Sequence, residues 1–547
     1  MRTTTLSVAT KPLPGANLSR LHVARLSKPM RCGQLHVACA QRAYTSRASG
    51  LEVDLTAPNG LSWSQPLGLF IGNDFVPSVK EKQIITHNPY TETEICSVAA
   101  ATPQDVDEAV KASRNALKHS SWKLLSGTER GHLMNKLADL VDRHRETLAT
   151  IETLDNGKPY SVSLGFDVAH FSEVLRYYAG YADKIHGSVI DVGHEKLAYT
   201  LKQPIGVCGQ IIPWNYPLAM AAWKLGPALC CGNTVVLKLA EQTPLSMLYV
   251  GKLIREAGFP AGVINIINGH GGLAGAALAL HKDVDKIAFT GSTATGKDVM
   301  RMASTTMKAV TLETGGKSPL IVFDDANLEQ AVRWAHEGIM ANQGQVCTAT
   351  SRILVQDGVY DRFIAAFADY TSKTSILGDP FDETTYQGPQ VSAAQRDRIL
   401  SYIKMAQDED TNILHPCGSV SDLPRKGFFV PPTIFTDVGT STTVFKEEIF
   451  GPCAAVARFR TEQEALEVAN STRYGLAGAV FTRDVGRSHR VARELEAGMV
   501  WVNSSNDSDV RVPFGGVKES GIGRELGEDG LRGYYSVKAV HVNLGEK

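Results

Sequence analysis

Between residues 205 and 313 the sequence alternates short β-branched runs with longer helical patterns, and this alternation constrains the fold most strongly. Strands joined by helices of this length pair in parallel, in an open sheet with helices on both faces. The strands are expected at 205–212, 234–238, 263–267, 286–289 and 309–313, with helices at roughly 218–231, 244–257, 272–280 and 293–305. The sequence therefore predicts an α/β protein built around a doubly wound parallel sheet.

A second alternation begins at Pro319 with a short strand, followed by a helix near 328–340, and predicts a second α/β domain. Its boundary with the first domain is placed near 315, where Gly315 and Gly316 form either a hinge or a tight turn. The predicted domains are 51–182 with 205–315, then 316–519, and a small β extension from 183–204 and 528–547. The extension combines a hairpin with an alternating strand at 534–543, which we expect to pair in a partner subunit and to support a homodimer or homotetramer.

The first 51 residues contain eight Lys or Arg and no Asp or Glu, among many Ser, Thr and Ala. This composition fits an organellar transit peptide better than a secretory signal, which needs a compact apolar stretch. We expect a mitochondrial transit peptide over residues 1–50, with cleavage near Thr45 and a matrix location. The alternative is a basic tail on a cytoplasmic enzyme.

The nine cysteines are dispersed and lack a paired framework, which suits a reducing compartment rather than disulfides. No CxxC or HExxH motif indicates a metal site. Residues 203–223 carry no charge, but Pro204, Pro213 and Pro217 interrupt the stretch and argue against a membrane span. We expect neither a nucleic acid nor a membrane as a partner.

Glycine-rich backbone surrounds a carboxylate and a thiol 34 positions apart, Glu313 in LETGGKSP and Cys347 in NQGQVC. A thiolate attacks carbonyl carbon well, but a thiol with an ordinary pKa is mostly protonated at neutral pH and needs a base. A free cysteine is more often a small buried hydrophobe. The polar run of residues 342–345 would make a poor core strand, so we interpret Cys347 as a nucleophile and Glu313 as its base.

Seven segments together resemble the aldehyde dehydrogenase superfamily, over about residues 68–543. They are IIPWNYPL (211–218), VVLKLAEQTP (235–244), FTGSTATG (289–296), LETGGKSP (312–319), GQVCTATSR (344–352), KEEIFGP (446–452) and PFGGVKESGIGREL (513–526). The resemblance implies that Cys347 attacks an aldehyde, that the Asn215 side chain and the Cys347 N–H hold the oxyanion, and that Glu313 activates water to hydrolyse a thioester. The product would be a carboxylic acid.

The cofactor implied by the resemblance is NAD, although the usual GxGxxG fingerprint is missing. Gly291 and Ser292, before a helix, would lie near a phosphate, and Lys238 with Glu241 would bind the adenosine ribose. A carboxylate there repels a 2′-phosphate and favours NAD over NADP. The other cofactor positions implied are Ile211, Trp214, Asn215, Leu312, Glu448 and Phe450.

Tyr216 and Trp223, two helical turns apart, resemble lining positions of the family's substrate channel, and Phe514 is expected to face them. Aromatic walls suit apolar aldehydes and also quaternary ammonium groups. The betaine aldehyde branch has a further aromatic residue where this chain has Ala341. We therefore expect a broad aliphatic or aromatic aldehyde substrate, with betaine aldehyde or an ω-aminoaldehyde as the alternative.

Two other functions remain open at this point. The first is a CoA-acylating relative, in which the thiol of CoA attacks the thioester in place of water. Such relatives usually lack the base, so the presence of Glu313 argues against this function. A catalytically silent structural homologue would have lost the nucleophile, which Cys347 argues against.

Overall fold

The computed structural model describes residues 50–424 and 426–545, so the predicted transit peptide lies outside the described residues except for Gly50. The described strands form two large sheets and three small ones. In chain order they are β1 (Glu52–Thr56), β2 (Ser62–Pro66), β3 (Leu69–Ile71), β4 (Asp74–Val76), β5 (Gln83–His87), β6 (Glu94–Ala99), β7 (Val189–Ile190), β8 (Lys196–Pro204), β9 (Val207–Ile211), β10 (Thr234–Lys238), β11 (Ile264–Ile267), β12 (Lys286–Thr290), β13 (Ala309–Glu313), β14 (Pro319–Val322), β15 (Arg352–Gln356), β16 (Asn412–Leu414), β17 (Thr433–Thr436), β18 (Cys453–Phe459), β19 (Ala477–Phe481), β20 (Met499–Val502), β21 (Gly521–Ile522) and β22 (Tyr535–Asn543).

Helices cover both large sheets, and local signals fix several of their ends. Thr102 with Asp105, and Ser126 with Glu129, form capping boxes at two helix starts, and left-handed Gly157 ends a third helix. The α-helices are α1 (Pro103–His119), α2 (Gly127–Arg143), α3 (Arg145–Asn156), α4 (Tyr160–Val162), α5 (Ala169–Ala179), α6 (Pro217–Cys230), α7 (Leu245–Ala257), α8 (Ala276–Leu280), α9 (Thr293–Ala303), α10 (Leu328–Met340), α11 (Tyr360–Thr374), α12 (Ala393–Asp408), α13 (Thr443–Lys446), α14 (Glu462–Asn470) and α15 (Val485–Glu494). None of the helices in the described part of the chain combines the length and hydropathy that a membrane span requires.

The eight-stranded sheet has the order β21-β13-β12-β9-β10-β11-β3-β4, and its five central strands are parallel. Strands β9, β10 and β12 are buried along their whole length, as expected for β-branched strands covered on both faces. The chain builds β9 to β11 on one side and then returns to place β12 and β13 on the other. The predicted doubly wound sheet is confirmed.

A seven-stranded sheet with the order β16-β17-β18-β15-β14-β19-β20 follows in the chain. All its neighbouring pairs are parallel except β16 with β17. It has apolar clusters of its own on the two faces. The second parallel α/β arrangement predicted after Pro319 is therefore present.

The predicted hairpin is also present as β7 and β8, and the predicted last strand forms as β22 at the edge of the same sheet, where its pairing with a partner subunit stays a prediction. Strand β22 pairs antiparallel with β8 of the same chain along nine residue pairs, from Tyr535 opposite Pro204 to Asn543 opposite Lys196. Alternation in a sequence reveals a strand but not which chain supplies its neighbour. The three strands form a small sheet with the order β22-β8-β7.

Candidate active site

The predicted site residues gather at one end of the eight-stranded sheet. Asn215 follows β9, Ser292 follows β12, and Glu313 is the last residue of β13. Because these strands are adjacent and parallel, their carboxyl ends lie along one edge. The order of the strands reverses between β9 and β12, and ligands of doubly wound sheets bind in the crevice at such a reversal.

Cys347 lies in the loop after α10 and keeps part of its surface exposed. Burial of the sulfur, with smaller contributions from the carboxylates of Glu313 and Glu448, raises the pKa of the Cys347 thiol to about 12. Backbone N–H groups of Thr348 and of Cys347 itself oppose this shift. At neutral pH the group is therefore a thiol, and its attack on a carbonyl requires a proton acceptor.

Asn215 connects the end of β9 to the loop that carries Cys347. Its buried side-chain Nδ2 donates to the carbonyl of Gln345 at 2.8 Å. The backbone carbonyl of Asn215 in turn accepts from Lys158 Nζ and from Asn342 Nδ2, both at 3.1 Å. An amide nitrogen has two hydrogens, so one remains for a developing oxyanion.

Glu313 is almost completely buried, and neither of its carboxylate oxygens makes a well-formed hydrogen bond to a described residue. Burial raises the pKa of Glu313 well above its usual value, and the charge of Glu525 adds to the shift. A side chain at Gly515 would place its Cβ 2.7 Å from Glu313 Oε1, so glycine there leaves room for the carboxylate. The group is poised to exchange a proton rather than to form a structural ion pair.

The adenosine-ribose candidates lie together at the end of β10, where Lys238 is the last residue of the strand and its Nζ is 3.1 Å from Glu241 Oε2. Burial lowers the pKa of Lys238. Burial of Glu241 works in the opposite direction, but Lys238 and backbone contacts outweigh it and lower the pKa of Glu241. A cation and an ionised carboxylate at this edge fit the hydroxyl groups of a ribose.

The phosphate candidates occupy the start of α9. Ser292 is the N-cap of this 11-residue helix, and its Oγ accepts from Thr295 N at 3.3 Å. Gly291 precedes it and donates its N–H to the carbonyl of Glu313 at 3.1 Å. A helix N-terminus beside glycine fits an anionic phosphate.

The remaining cofactor candidates surround the same crevice. The rings of Trp214 and Phe450 meet edge to face with centroids 5.4 Å apart. Glu448 Oε1 accepts from Gly316 N at 2.9 Å, and burial raises the pKa of Glu448 to about 7. Ile211 and Leu312 are buried near the ends of β9 and β13.

The glycine pair 315–316 is explained by close packing. A Cβ at Gly315 would lie 2.2 Å from Glu448 Oε2, and one at Gly316 would lie 2.6 Å from the Cys347 carbonyl oxygen. Neither glycine has a positive φ. Steric demand for a small residue therefore accounts for both positions.

The three substrate candidates belong to one aromatic cluster. Trp223 meets Phe514 with centroids 4.5 Å apart, and its Nε1 donates to His170 Nε2 at 2.7 Å. His170 stacks on Phe166 at 5.1 Å, and Phe166 meets Tyr216 at 5.8 Å. Phe514 thus faces Trp223 directly, whereas Tyr216 reaches Trp223 through the Phe166 and His170 rings.

The sequence profile of the Aldehyde dehydrogenase family matches residues 75–540. The chain belongs to the aldehyde dehydrogenase family. As an aldehyde dehydrogenase it is an oxidoreductase that acts on aldehydes, and the dinucleotide of this family is NAD(P).

Three known aldehyde dehydrogenases show how extensive the likeness is. The aldehyde dehydrogenase of Emericella nidulans is 51% identical over 487 residues, which cover 89% of this chain and 97% of the relative. The protein called aldehyde dehydrogenase, mitochondrial, of Mesocricetus auratus is 49% identical over 481 residues, covering 88% of this chain and 95% of the relative. The solved NAD+ complex of the Bacillus cereus enzyme superposes with a TM-score of 0.86 at 47% identity, covering 88% of this chain and 97% of that one.

Sequence reasoning missed a buried ion pair whose two charges affect the pKa of Glu313 in this aldehyde dehydrogenase. Lys224 Nζ lies 2.7 Å from Glu525 Oε1 and 2.5 Å from Thr290 Oγ1. Both charged side chains are almost fully buried. A signal was available, because Lys224 is the one charged residue in the apolar helix α6. Its partner, 301 positions away, could not be read from the pattern.

A second ion pair that the sequence did not reveal contacts the backbone of Asn215 through Lys158. Lys158 Nζ is 2.8 Å from Asp167 Oδ1 and lies 4.3 Å from the centre of the Tyr216 ring. Both members of this ion pair are fully buried. Among the described residues, no cluster of three or more His, Cys, Asp or Glu side chains is arranged to hold a metal ion.

Proposed function

We propose that the chain oxidises an aldehyde to the carboxylic acid with NAD, using Cys347 as the nucleophile and Glu313 as the base. One observation carries the proposal. The loop that carries Cys347 packs against the segment after Glu313, where a Cβ at Gly316 would lie 2.6 Å from the Cys347 carbonyl oxygen, and Asn215 donates to the same loop at Gln345. Nucleophile, base and oxyanion donor thus share one crevice.

In the first half of the reaction, Glu313 accepts the proton of the Cys347 thiol and passes it to solvent, and the sulfur forms a bond to the aldehyde carbon. The carbonyl oxygen becomes an oxyanion, which the second Nδ2 hydrogen of Asn215 and the backbone N–H of Cys347 stabilise. Each such donor contributes about 3 kcal/mol, by comparison with oxyanion holes of proteases. Bound NAD supplies the acceptor for the hydride that leaves the adduct carbon, and Cys347 is left as a thioester.

In the second half, Glu313 takes a proton from water, whose oxygen attacks the thioester carbon. The carbon–sulfur bond breaks, the carboxylic acid leaves and Cys347 is regenerated. Glu313 must be ionised to act in this way, so its raised pKa makes turnover increase with pH. An enzyme that transfers the acyl group to CoA instead of water would not need this base. The presence of Glu313 therefore supports hydrolysis of the thioester over acylation of CoA.

NAD is favoured over NADP by the charge of Glu241. Its lowered pKa keeps the carboxylate ionised at neutral pH, where it accepts hydrogen bonds from ribose hydroxyls and repels a 2′-phosphate. Lys238 and Glu241 would hold the adenosine ribose, Ser292 and Gly291 with Trp214 the phosphates, and Glu448 with Phe450 the nicotinamide ribose. Ile211, Leu312 and Asn215 would line the remainder of the cofactor site.

The substrate we propose is a broad range of aliphatic or aromatic aldehydes rather than betaine aldehyde. Tyr216, Trp223 and Phe514 would line the channel. The Lys158 ammonium already lies over the Tyr216 ring, so a quaternary ammonium group would meet a like charge. Ala341, at the end of α10, adds no further aromatic wall.

We further propose that residues 51–182 with 205–315 form the NAD-binding domain and 316–519 the catalytic domain. The family is generally oligomeric, and segments 183–204 and 528–547 would form the contact in a homodimer or homotetramer. Mitochondrial import is supported by the acid-free, basic leader and by a mitochondrial relative at 49% identity.

The test is an assay of purified protein with NAD and an aldehyde, comparing acetaldehyde, longer aliphatic, aromatic and betaine aldehydes by kcat/KM. NADH and acid should form in equal amounts without CoA, and Cys347→Ala should abolish turnover. The matched control is Cys453→Ala, which replaces a buried cysteine in β18 of the seven-stranded sheet and should keep activity. Strict dependence on CoA, or an active Cys347→Ala enzyme, would refute the proposal.

A further inference from the structure

Three successive residues ahead of Cys347 adopt a left-handed backbone conformation. Their φ angles are 47° at Asn342, 58° at Gln343 and 71° at Gly344. Asparagine and glutamine pay a steric cost in this region, and such a conformation persists only where its surroundings impose it. The loop that presents the nucleophile is therefore held in place from outside.

Two glutamines from a distant segment hold this turn. Gln387 Nε2 donates to the carbonyl of Met340 at 2.7 Å, and Gln390 Nε2 donates to the carbonyl of Gln343 at 3.2 Å. Next to them, Val391 N donates to Gln345 Oε1 at 3.1 Å. Gln387 and Gln390 are each 1% exposed, so these hydrogen bonds are buried, and the loss of a buried hydrogen-bond partner is costly.

The segment that supplies the glutamines is itself anchored. A Cβ at Gly388 would lie 2.0 Å from the carbonyl oxygen of Gly157, so this segment packs directly against the end of α3. On its other side the turn is fastened by Asn342 Nδ2, which donates to the carbonyl of Asn215. The turn is thus clamped between the oxyanion residue and the two glutamines.

We propose that Gln387 and Gln390, here called the amide brace, are positioning residues that hold the left-handed turn so that Cys347 is fixed for attack. The brace acts on the backbone carbonyls seven and four residues before Cys347, and neither of these hydrogen bonds goes to the sulfur. The inference rests on the proposed role of Cys347 as the nucleophile.

The experiment compares Gln390→Met with Gln65→Met. Gln65 is also fully buried, and its Nε2 also donates to a backbone carbonyl, that of Leu245 at 3.1 Å, but it lies in β2 away from the turn. Both variants lose one buried amide, so both should lower the thermal midpoint. Only Gln390→Met should lower kcat, by about tenfold or more with little change in KM, because small displacements of a reacting group cost large factors in rate.

A second readout follows the sulfur without substrate. Alkylation of Cys347 by iodoacetamide at fixed pH, measured by mass analysis of its peptide, should become faster in Gln390→Met because the released turn exposes the thiol. Faster alkylation together with slower turnover distinguishes lost positioning from general damage. Equal turnover and equal alkylation in Gln390→Met and Gln65→Met would refute the brace.

Gln390→Glu adds a pH test. The protonated acid can donate to the Gln343 carbonyl, whereas the carboxylate repels it, so the activity of this variant relative to wild type should fall as pH rises. A constant ratio would count against the brace. Cys347→Ala measured in parallel separates the two failures: if it is active, the proposed function fails, and if it is inactive while Gln390→Met is normal, only the brace fails.

Discussion

Glu313 shows at the scale of one residue how burial changes the properties of a carboxyl group. Its carboxylate is buried and lies near the negative charge of Glu525, and the backbone N–H of Gly516 offsets only part of their effect on its pKa. These conditions disfavour the charged form and increase its tendency to accept a proton. The same carboxylate raises the pKa of the Cys347 thiol, so the two groups influence each other.

Glu313→Gln should slow hydrolysis of the thioester more than its formation. A glutamine cannot take a proton from water, so the first turnover should still release NADH while steady-state turnover falls by about 10²-fold or more. Rapid-mixing measurement of NADH at pH 7 separates the two phases. An unchanged steady-state rate would remove the assigned role of Glu313.

The reactivity of Cys347 should depend steeply on pH. Because its pKa is raised to about 12, the thiolate fraction, and with it the rate of alkylation by iodoacetamide, should rise about tenfold per pH unit between about pH 7 and 10. A rate independent of pH in this range would show that Cys347 is already ionised.

At the scale of elements, the buried pair Lys224–Glu525 connects α6 to the segment after β21. Removing one partner leaves a buried charge without compensation, at a cost of about 3–5 kcal/mol. Lys224→Met should therefore lower the thermal midpoint strongly, whereas Lys224→Met combined with Glu525→Gln should recover part of the loss. If the double variant is as unstable as the sum of both single variants, the pair is not coupled.

Strands and helices were predictable where the local sequence pattern marks them. The strands at 234–238 and 309–313 and the helix at 328–340 agree with prediction at both ends, because β-branched runs and apolar periodicity mark them locally. The expected helix at 272–280 begins instead as a π-helical turn at Gly271–Gly275. The pairing of β22 with β8 could not be read from the sequence, since only the tertiary fold brings the two strands together.

The candidate site divides in the same way. Short sequence motifs rich in glycine or flanked by proline contain Cys347, Glu313 and Asn215, so these residues could be recognised from the sequence. Gln390 lies in no such motif. Its proposed role depends on a hydrogen bond to the carbonyl of Gln343, which is 47 positions earlier in the chain. The left-handed conformation of Gln343 was equally hidden, since glutamine gives no local indication of a positive φ.

At the scale of the whole molecule, exposed apolar side chains cover the small sheet formed by β22, β8 and β7. Val537 on β22 is 62% exposed, and Ile190 on β7, which lies on the same face of the sheet, is 48% exposed. Large apolar side chains exposed together on one sheet mark an interaction surface. We propose that a second copy of the chain covers this surface.

Val537→Glu should then shift the protein to smaller species in analytical ultracentrifugation, because a buried carboxylate at a subunit contact is costly. Val485→Glu is the matched control, since Val485 is 70% exposed at the start of α15 and outside the small sheet. Equal sedimentation of both variants and the unaltered protein would exclude the small sheet as the contact.

The residues that surround Glu313 are synthesised long after Glu313 itself, and this affects when the site can form during translation. Gly515 and Gly521 lie against the carboxylate, Glu525 neutralises the lysine beside it, and β22 follows immediately. A nascent chain that has emerged only as far as residue 514 contains Cys347 and Glu313 but lacks the residues that enclose the Glu313 carboxylate. We therefore expect a product truncated after residue 514 to keep the Cys347 thiol and to show no turnover.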